Sequence, residues 1–111
     1  MMMTDAEQKA ATEVILGVDT HLDVHVAVAL DRLGRRLGEV SVPTTAKGYE
    51  SLVCWAEGLG TVRCAGVEGT SSYGAGLARY LRTAEIPVME VELETVRKEV
   101  RTTLRVRIWL V

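Results

Sequence analysis

The chain has 111 residues, of which 48% are hydrophobic and 25% charged, with a formal net charge of −2. These totals describe one soluble globular domain, leave too few residues for two, and exclude a strongly basic nucleic-acid binder. No run approaches the ~20 apolar residues of a membrane span and the start lacks a secretory signal, so a cytoplasmic protein with no membrane contact is expected.

With no Phe, two Trp and three Tyr, the core must be built from Val, Leu, Ile and Ala. Charge is uneven along the chain. Residues 1–92 hold 13 acidic and 8 basic side chains, whereas residues 93–111 hold 2 and 5.

Residues 1–12 are polar and read as a flexible leader. Val14-Ile15-Leu16-Gly17-Val18 is a continuous apolar run ending in Asp19, the pattern of a strand covered on both faces. Val24 to Leu30 follows almost at once, with β-branched residues alternating, and so short a link forces an antiparallel pair. Asp31-Arg32-Leu33-Gly34 is a turn, and Gly38 to Val42 alternates as an edge strand does.

Pro43 stops that strand, and Thr44 and Thr45 offer a helix N-cap. Tyr49, Leu52, Val53, Ala56 and Leu59 then recur at helical spacing, with Gly58 and Gly60 ending the helix. Val62 to Val67 is a further short strand closing on Glu68. Gly69-Thr70-Ser71-Ser72 reads as a capping turn before a helix stripe of Tyr73, Leu77, Leu81 and Ala84. Ile86 to Val91 is the last clear strand.

The order βββαβαβ predicts an α/β fold: a mixed five-stranded sheet with flanking helices, the ribonuclease H-like (RuvC-like) core, over residues 13–92. Beyond it, Val96, Val100, Leu104 and Ile108 fit a helix, while Leu104, Val106, Ile108 and Leu110 fit a strand. Residues 93–111 therefore read as an atypical basic tail whose periodicity does not choose an element.

Asp19 and Glu68 each end a buried apolar run, a poor packing choice because a desolvated carboxylate costs several kcal/mol unless paired. The predicted topology makes their strands neighbours, so both acids meet at one edge of the sheet. Two anions at close range repel unless a cation intervenes, and hard oxygen ligands suit Mg²⁺ or Mn²⁺. A pair of such ions can activate an attacking oxygen and steady a leaving one in phosphodiester chemistry. The plainer reading is two strand-end acids facing solvent.

Gly69-Thr70-Ser71-Ser72 could hold a phosphate oxygen at a helix N-terminus, although helix capping accounts for the same residues. Thr20, Thr70 and Ser71 are thus the candidate nucleic-acid contacts. His21 is near enough to approach Asp19, but a turn residue is expected to face solvent, as is Asp23. Cys54 and Cys64 have no partner at zinc spacing and sit in apolar patterns, which predicts buried, reduced thiols. In the tail, Arg97, Lys98, Arg101, Arg105 and Arg107 are interleaved with Glu94 and Glu99, as on a solvated face.

Val14-Ile15-Leu16-Gly17-Val18-Asp19-Thr20-His21 and Gly66-Val67-Glu68-Gly69-Thr70-Ser71-Ser72-Tyr73-Gly74 resemble the DEDD transposases of the IS110 insertion-sequence family. Thr44-Thr45-Ala46-Lys47-Gly48-Tyr49 and Leu52-Val53-Cys54-Trp55 look like that family's first helix, so the resemblance spans residue 14 to about 91. It implies a RuvC-like amino-terminal domain that binds Mg²⁺ (or Mn²⁺) through four acids and acts in DNA transposition. Its partner would be DNA, both insertion-sequence ends and target, with a guide RNA and a homo-oligomer as further candidates.

By this resemblance Asp19 and Glu68 are the first two metal-binding, catalytic acids. The second pair has no counterpart, since no Asp follows Asp31, and the serine-bearing domain of relatives is not seen either. The expectation is a truncated or out-of-frame copy that does not complete strand cleavage alone. Two other readings compete. A small RuvC-type junction nuclease would need Glu92, Glu94 or Glu99 as further ligands. A fragment of an actin-like ATPase or sugar kinase would need a Gly-rich phosphate loop where this chain has Thr20-His21-Leu22-Asp23.

Overall fold

A computed structural model describes residues 2–91 of the chain. The elements are α1 (Asp5–Ala11), β1 (Glu13–Thr20), β2 (Val24–Leu30), β3 (Arg36–Pro43), α2 (Ala46–Glu57), β4 (Thr61–Glu68), α3 (Ala75–Thr83) and β5 (Val88–Val91). They build one mixed sheet in the order β3-β2-β1-β4-β5. β2 runs antiparallel to both β1 and β3, while β4 is parallel to β1 and β5 parallel to β4. This is the α/β, ribonuclease H-like arrangement that the order of apolar runs predicts. The tail from Glu92 onward, with its double periodicity and its acidic and basic side chains, lies outside the described residues.

The central strand shows why the fold forms. Val14, Leu16 and Val18 of β1 project to one face, where they meet Ala27, Ala29, Ala65 and Val67 from the adjoining strands. Leu52, Val53 and Ala56 of α2 and Leu77 and Leu81 of α3 close over that layer. Each fully buried Leu or Val contributes about 1.5–3 kcal/mol, so this single apolar layer dominates the stability. Small residues at Ala27, Ala29 and Ala65 leave room for the two helices to lie close to the sheet.

The β1–β4 ladder contains one irregularity. Val14 pairs with Val62, but Ile15 pairs with Cys64, so Arg63 is an extra residue in β4. Its side chain is exposed, and its guanidinium meets Glu13 Oε1 at 2.9 Å.

Local differences from the sequence reading have physical causes. Residues 5–11, read as part of a leader, form α1. Cys64 is buried as expected, but Cys54 is exposed. Leu52, Val53 and Ala56 take the inward positions of α2, and the helical period turns residue 54 outward. Thr45 is the N-cap of α2, its hydroxyl accepting from the Gly48 N–H at 3.0 Å.

α3 begins later than its apolar stripe suggests. Its cap is Gly74, without a side-chain bond, so Thr70, Ser71 and Tyr73 belong to the preceding loop. Gly69 holds a left-handed φ of +63° there, and the Gly74 N–H returns to Gly69 O at 2.8 Å. That fold-back is what delays the helix.

Gly48 lies within α2, where Ala would ordinarily stabilise by up to about 1 kcal/mol. Here a Cβ would stand 1.9 Å from the Pro43 carbonyl oxygen, a backbone atom. Gly48→Ala is therefore expected to destabilise, by about 1–3 kcal/mol for a steric insertion, read as a lower urea midpoint. A higher midpoint would refute the close approach of α2 to the end of β3.

Candidate active site

Asp19 is the penultimate residue of β1, and Glu68 is the last of β4. Each stands one position beyond the Val18–Val67 pair. Directly paired positions of neighbouring strands share a face and lie about 4.8 Å apart. Val18 and Val67 turn toward the helices, so alternation turns Asp19 and Glu68 to the opposite face. The two acids thus sit side by side, as the sequence predicts.

The strand ends are tied together by Thr20. Its N–H donates to Glu68 Oε2 at 3.3 Å, and its hydroxyl donates to the Glu68 carbonyl oxygen at 2.9 Å. Asp19 is only 7% exposed. Its Oδ2 lies 3.3 Å from His21 Nε2, so His21, expected at the solvent-facing turn, leans back onto the acid while remaining half-buried.

Behind that loop stands His25, fully buried among the core side chains. Its Nδ1 accepts from the His21 N–H at 3.4 Å, which leaves the proton of the neutral ring on Nε2. Thr44 donates its hydroxyl to the His21 carbonyl oxygen at 3.1 Å, and the Thr44 N–H reaches Asp23 O at 3.1 Å. The imidazole stacks on Tyr49 of α2, with ring centres 5.9 Å apart. Tyr49 is thereby part of the support beneath the β1–β2 loop, a role its place in an apolar stripe does not reveal.

Of the three candidate nucleic-acid residues, Thr20 follows Asp19 and is engaged with Glu68. The Thr70 hydroxyl is directed instead to Glu90 of β5. Ser71 is exposed on the β4–α3 loop and, like Thr70, caps no helix. Asp23 is exposed in the β1–β2 loop. Asp31, a buried acid at the other edge of the sheet, serves the β2–β3 turn. Its carboxylate accepts from the N–H groups of Leu33 and Arg35, both at 2.9 Å. The Arg35 backbone bond above all holds its pKa below the ordinary 3.8, with the Arg35 side chain adding to it. A cavity of about 180 Å³ lined by Thr12, Glu13, Asp31 and Arg35 opens at that far edge, away from Asp19 and Glu68.

Among the described residues, no three His, Cys, Asp or Glu side chains converge as a cation-binding group. The edge supplies a pair of carboxylates. No helix among the described residues is long and apolar enough to cross a membrane.

The family model of the IS110-type DEDD transposases, described as a transposase, matches residues 16–107. The chain belongs to that family. Comparison with curated proteins gave no match. The matched span of this transposase-family chain contains both Asp19 and Glu68. It also runs through residues 93–107, most of the segment whose pattern sets it apart from the rest of the sequence.

Burial pushes the His25 pKa below its ordinary 6.5, with His21 adding to the effect and the Val24 backbone and Asp19 opposing it. The unfolded chain therefore takes up this proton more readily than the folded one. The linked stability is complete above the ordinary value and is lost as pH falls through 6.5 toward the depressed folded value. Melting temperatures measured from pH 8 to pH 5 are expected to fall below about 6.5 in wild type and to fall less steeply in His25→Gln. Equal slopes would show that His25 does not carry the dependence. Asp31 acts only in stronger acid.

Proposed function

We propose that this chain is the amino-terminal, carboxylate-bearing domain of an insertion-sequence transposase, in which Asp19 and Glu68 are catalytic residues that hold Mg²⁺ or Mn²⁺ for DNA strand transfer. The observation that carries the reading is the placement of these acids at equivalent ends of adjacent parallel strands, linked through Thr20.

The donor set fits a hard divalent cation. Both side chains offer oxygen, and neither strand end brings a thiolate. At an effective dielectric of about 20, two unit charges about 4 Å apart interact by about 4 kcal/mol, a repulsion that a shared cation converts into attraction. When bound, such an ion supplies Lewis acidity toward a phosphodiester oxygen and lowers the pKa of an attacking hydroxyl or water.

The chain's own residues do the positioning. Thr20 holds Glu68 Oε2 with its N–H, which turns the carboxylate toward β1. His21 holds Asp19 Oδ2 through its ring Nε2. His25 and Thr44 keep the β1–β2 loop in the conformation that allows this. DNA, at insertion-sequence ends and target, is the substrate this reading assigns.

Calorimetric titration with Mn²⁺ tests the site without requiring turnover. Wild type is expected to bind, and Asp19→Asn and Glu68→Gln are each expected to weaken binding by at least about ten-fold, with circular dichroism unchanged. Loss in both variants puts the two carboxylates in one site. Undiminished affinity in either, or no binding by wild type, would overturn the assignment.

A further inference from the structure

Among the described residues, the large apolar side chains left exposed are Met2, Met3, Leu22 (65%), Val24 (38%), Leu33 and Tyr73 (53%). Met2 and Met3 precede α1, and Leu33 is at the tip of the β2–β3 turn. Leu22, Val24 and Tyr73 all stand in, or just beyond, the two loops that leave the carboxylate ends of β1 and β4. Scattered exposed apolar groups are ordinary on a protein surface. Three on the rim of one polar site are a pattern.

The loops adjoin one another. The Thr20 hydroxyl bonds to Glu68 O, and a Cβ on Gly69 would lie 3.5 Å from Thr20 Oγ1. The loop carrying Tyr73 is tightly bonded: Ser72 N–H reaches Gly69 O at 2.9 Å, Gly74 N–H reaches the same oxygen at 2.8 Å, and Ala75 N–H reaches Ser72 O at 3.1 Å. A Cβ on Gly74, the residue after Tyr73, would stand 2.4 Å from Glu68 O, so this turn lies close against the end of β4. Tyr73 thus stands half-exposed on a hydrogen-bonded turn.

Charge selects the partner. Neither His21-Leu22-Asp23-Val24 nor Gly69-Thr70-Ser71-Ser72-Tyr73-Gly74 contains Lys or Arg, and two carboxylates lie between them. Among the described residues, these two loops offer a phosphate backbone no counter-charge. An aromatic ring, an isobutyl group and serine hydroxyls suit the apolar face and polar edge of a nucleobase. An intact duplex hides those faces, whereas an unpaired nucleotide exposes them.

We propose that Tyr73, with Leu22 on the neighbouring loop, is a stacking platform for an unpaired base adjoining the phosphodiester addressed by Asp19 and Glu68. The proposal rests on the reading of this edge as a DNA site. It adds that the DNA is locally unpaired where it meets the rim.

The test uses the full chain with Ca²⁺ and two oligonucleotides: a blunt duplex, and the same duplex with a single-stranded extension containing 2-aminopurine. Wild type is expected to bind the extended form at least about five-fold more tightly, the lower end of what one base–aromatic stack supplies, with a change in 2-aminopurine emission. Tyr73→Phe should retain both effects and Tyr73→Ala should lose both, while melting temperatures stay within a few degrees for so exposed a side chain. If Tyr73→Ala binds the extended duplex like wild type while Asp19→Asn or Glu68→Gln weakens it, the stacking platform is wrong and the carboxylate edge stands. If wild type binds neither oligonucleotide, the DNA reading fails and the platform with it. A dimer in sedimentation that dissociates on Leu22→Ser or Tyr73→Ala would assign the patch to a second copy of the chain and overturn the proposal.

Discussion

The parallel ladder between β1 and β4 joins segments far apart in the chain, and its register determines what stands at the edge of the sheet. Up to Val14–Val62 the strands run in one phase, and from Ile15–Cys64 onward they run in another, because Arg63 is accommodated without a partner. Continued in the first phase, the ladder would have set Asp19 beside Val67 and Glu68 beside Thr20. The two acids would then project to opposite faces, since a one-residue slip inverts every side chain. The extra residue restores the match that brings Asp19 and Glu68 together. Bulges are uncommon in parallel pairs and tend to re-aim side chains near functional sites. This one does so from the opposite end of the strand.

The consequence is a division of labour along β1. Its helix-facing positions, Val14, Leu16 and Val18, fasten the strand under α2 and α3, and that burial resists any shift in register. Asp19 inherits its position from this packing. No flexible segment has to order for the acids to meet. The loop residues around them are held by individual hydrogen bonds, worth about 0.5–1.5 kcal/mol each. His25 links the two parts: it is buried in the core layer, stacked on Tyr49, yet its Nδ1 takes the N–H of His21 and so shapes the loop that touches Asp19.

Much of this was legible in the residues. Apolar runs ending in single acids located β1 and β4, the short link after Asp19 required an antiparallel β2, and Thr45 before a 3.6-residue stripe marked α2. Other features depend on contacts that periodicity does not encode. Cys54 lies in an apolar stretch, but the stretch is wider than the buried stripe, so its side chain is exposed. The turn-like Gly69-Thr70-Ser71-Ser72 promised a cap; instead the left-handed Gly69 folds the loop back on its own carbonyl and moves the cap to Gly74. His21 looked like a turn residue and is one, but its ring falls back on Asp19 because Thr44 and His25 hold its backbone from the other side. The bulge at Arg63 left no trace in the pattern: a short apolar strand with one surplus residue reads much like a strand without one.

The direction of the site follows from the topology. In open α/β sheets, ligands gather beyond the carboxyl ends of parallel strands, where successive connections leave in different directions and open a crevice. Here β1 leaves through a tight hairpin to the antiparallel β2, while β4 leaves through the Gly69–Gly74 loop into α3. The acids are therefore flanked by these two loops, both short and both without Lys or Arg. On the proposed reading, the loops leave the phosphate to a cation held by Asp19 and Glu68. On that reading, too, an edge of this composition suits DNA already opened at the reacting position, and the exposed ring of Tyr73 is where such DNA would make contact.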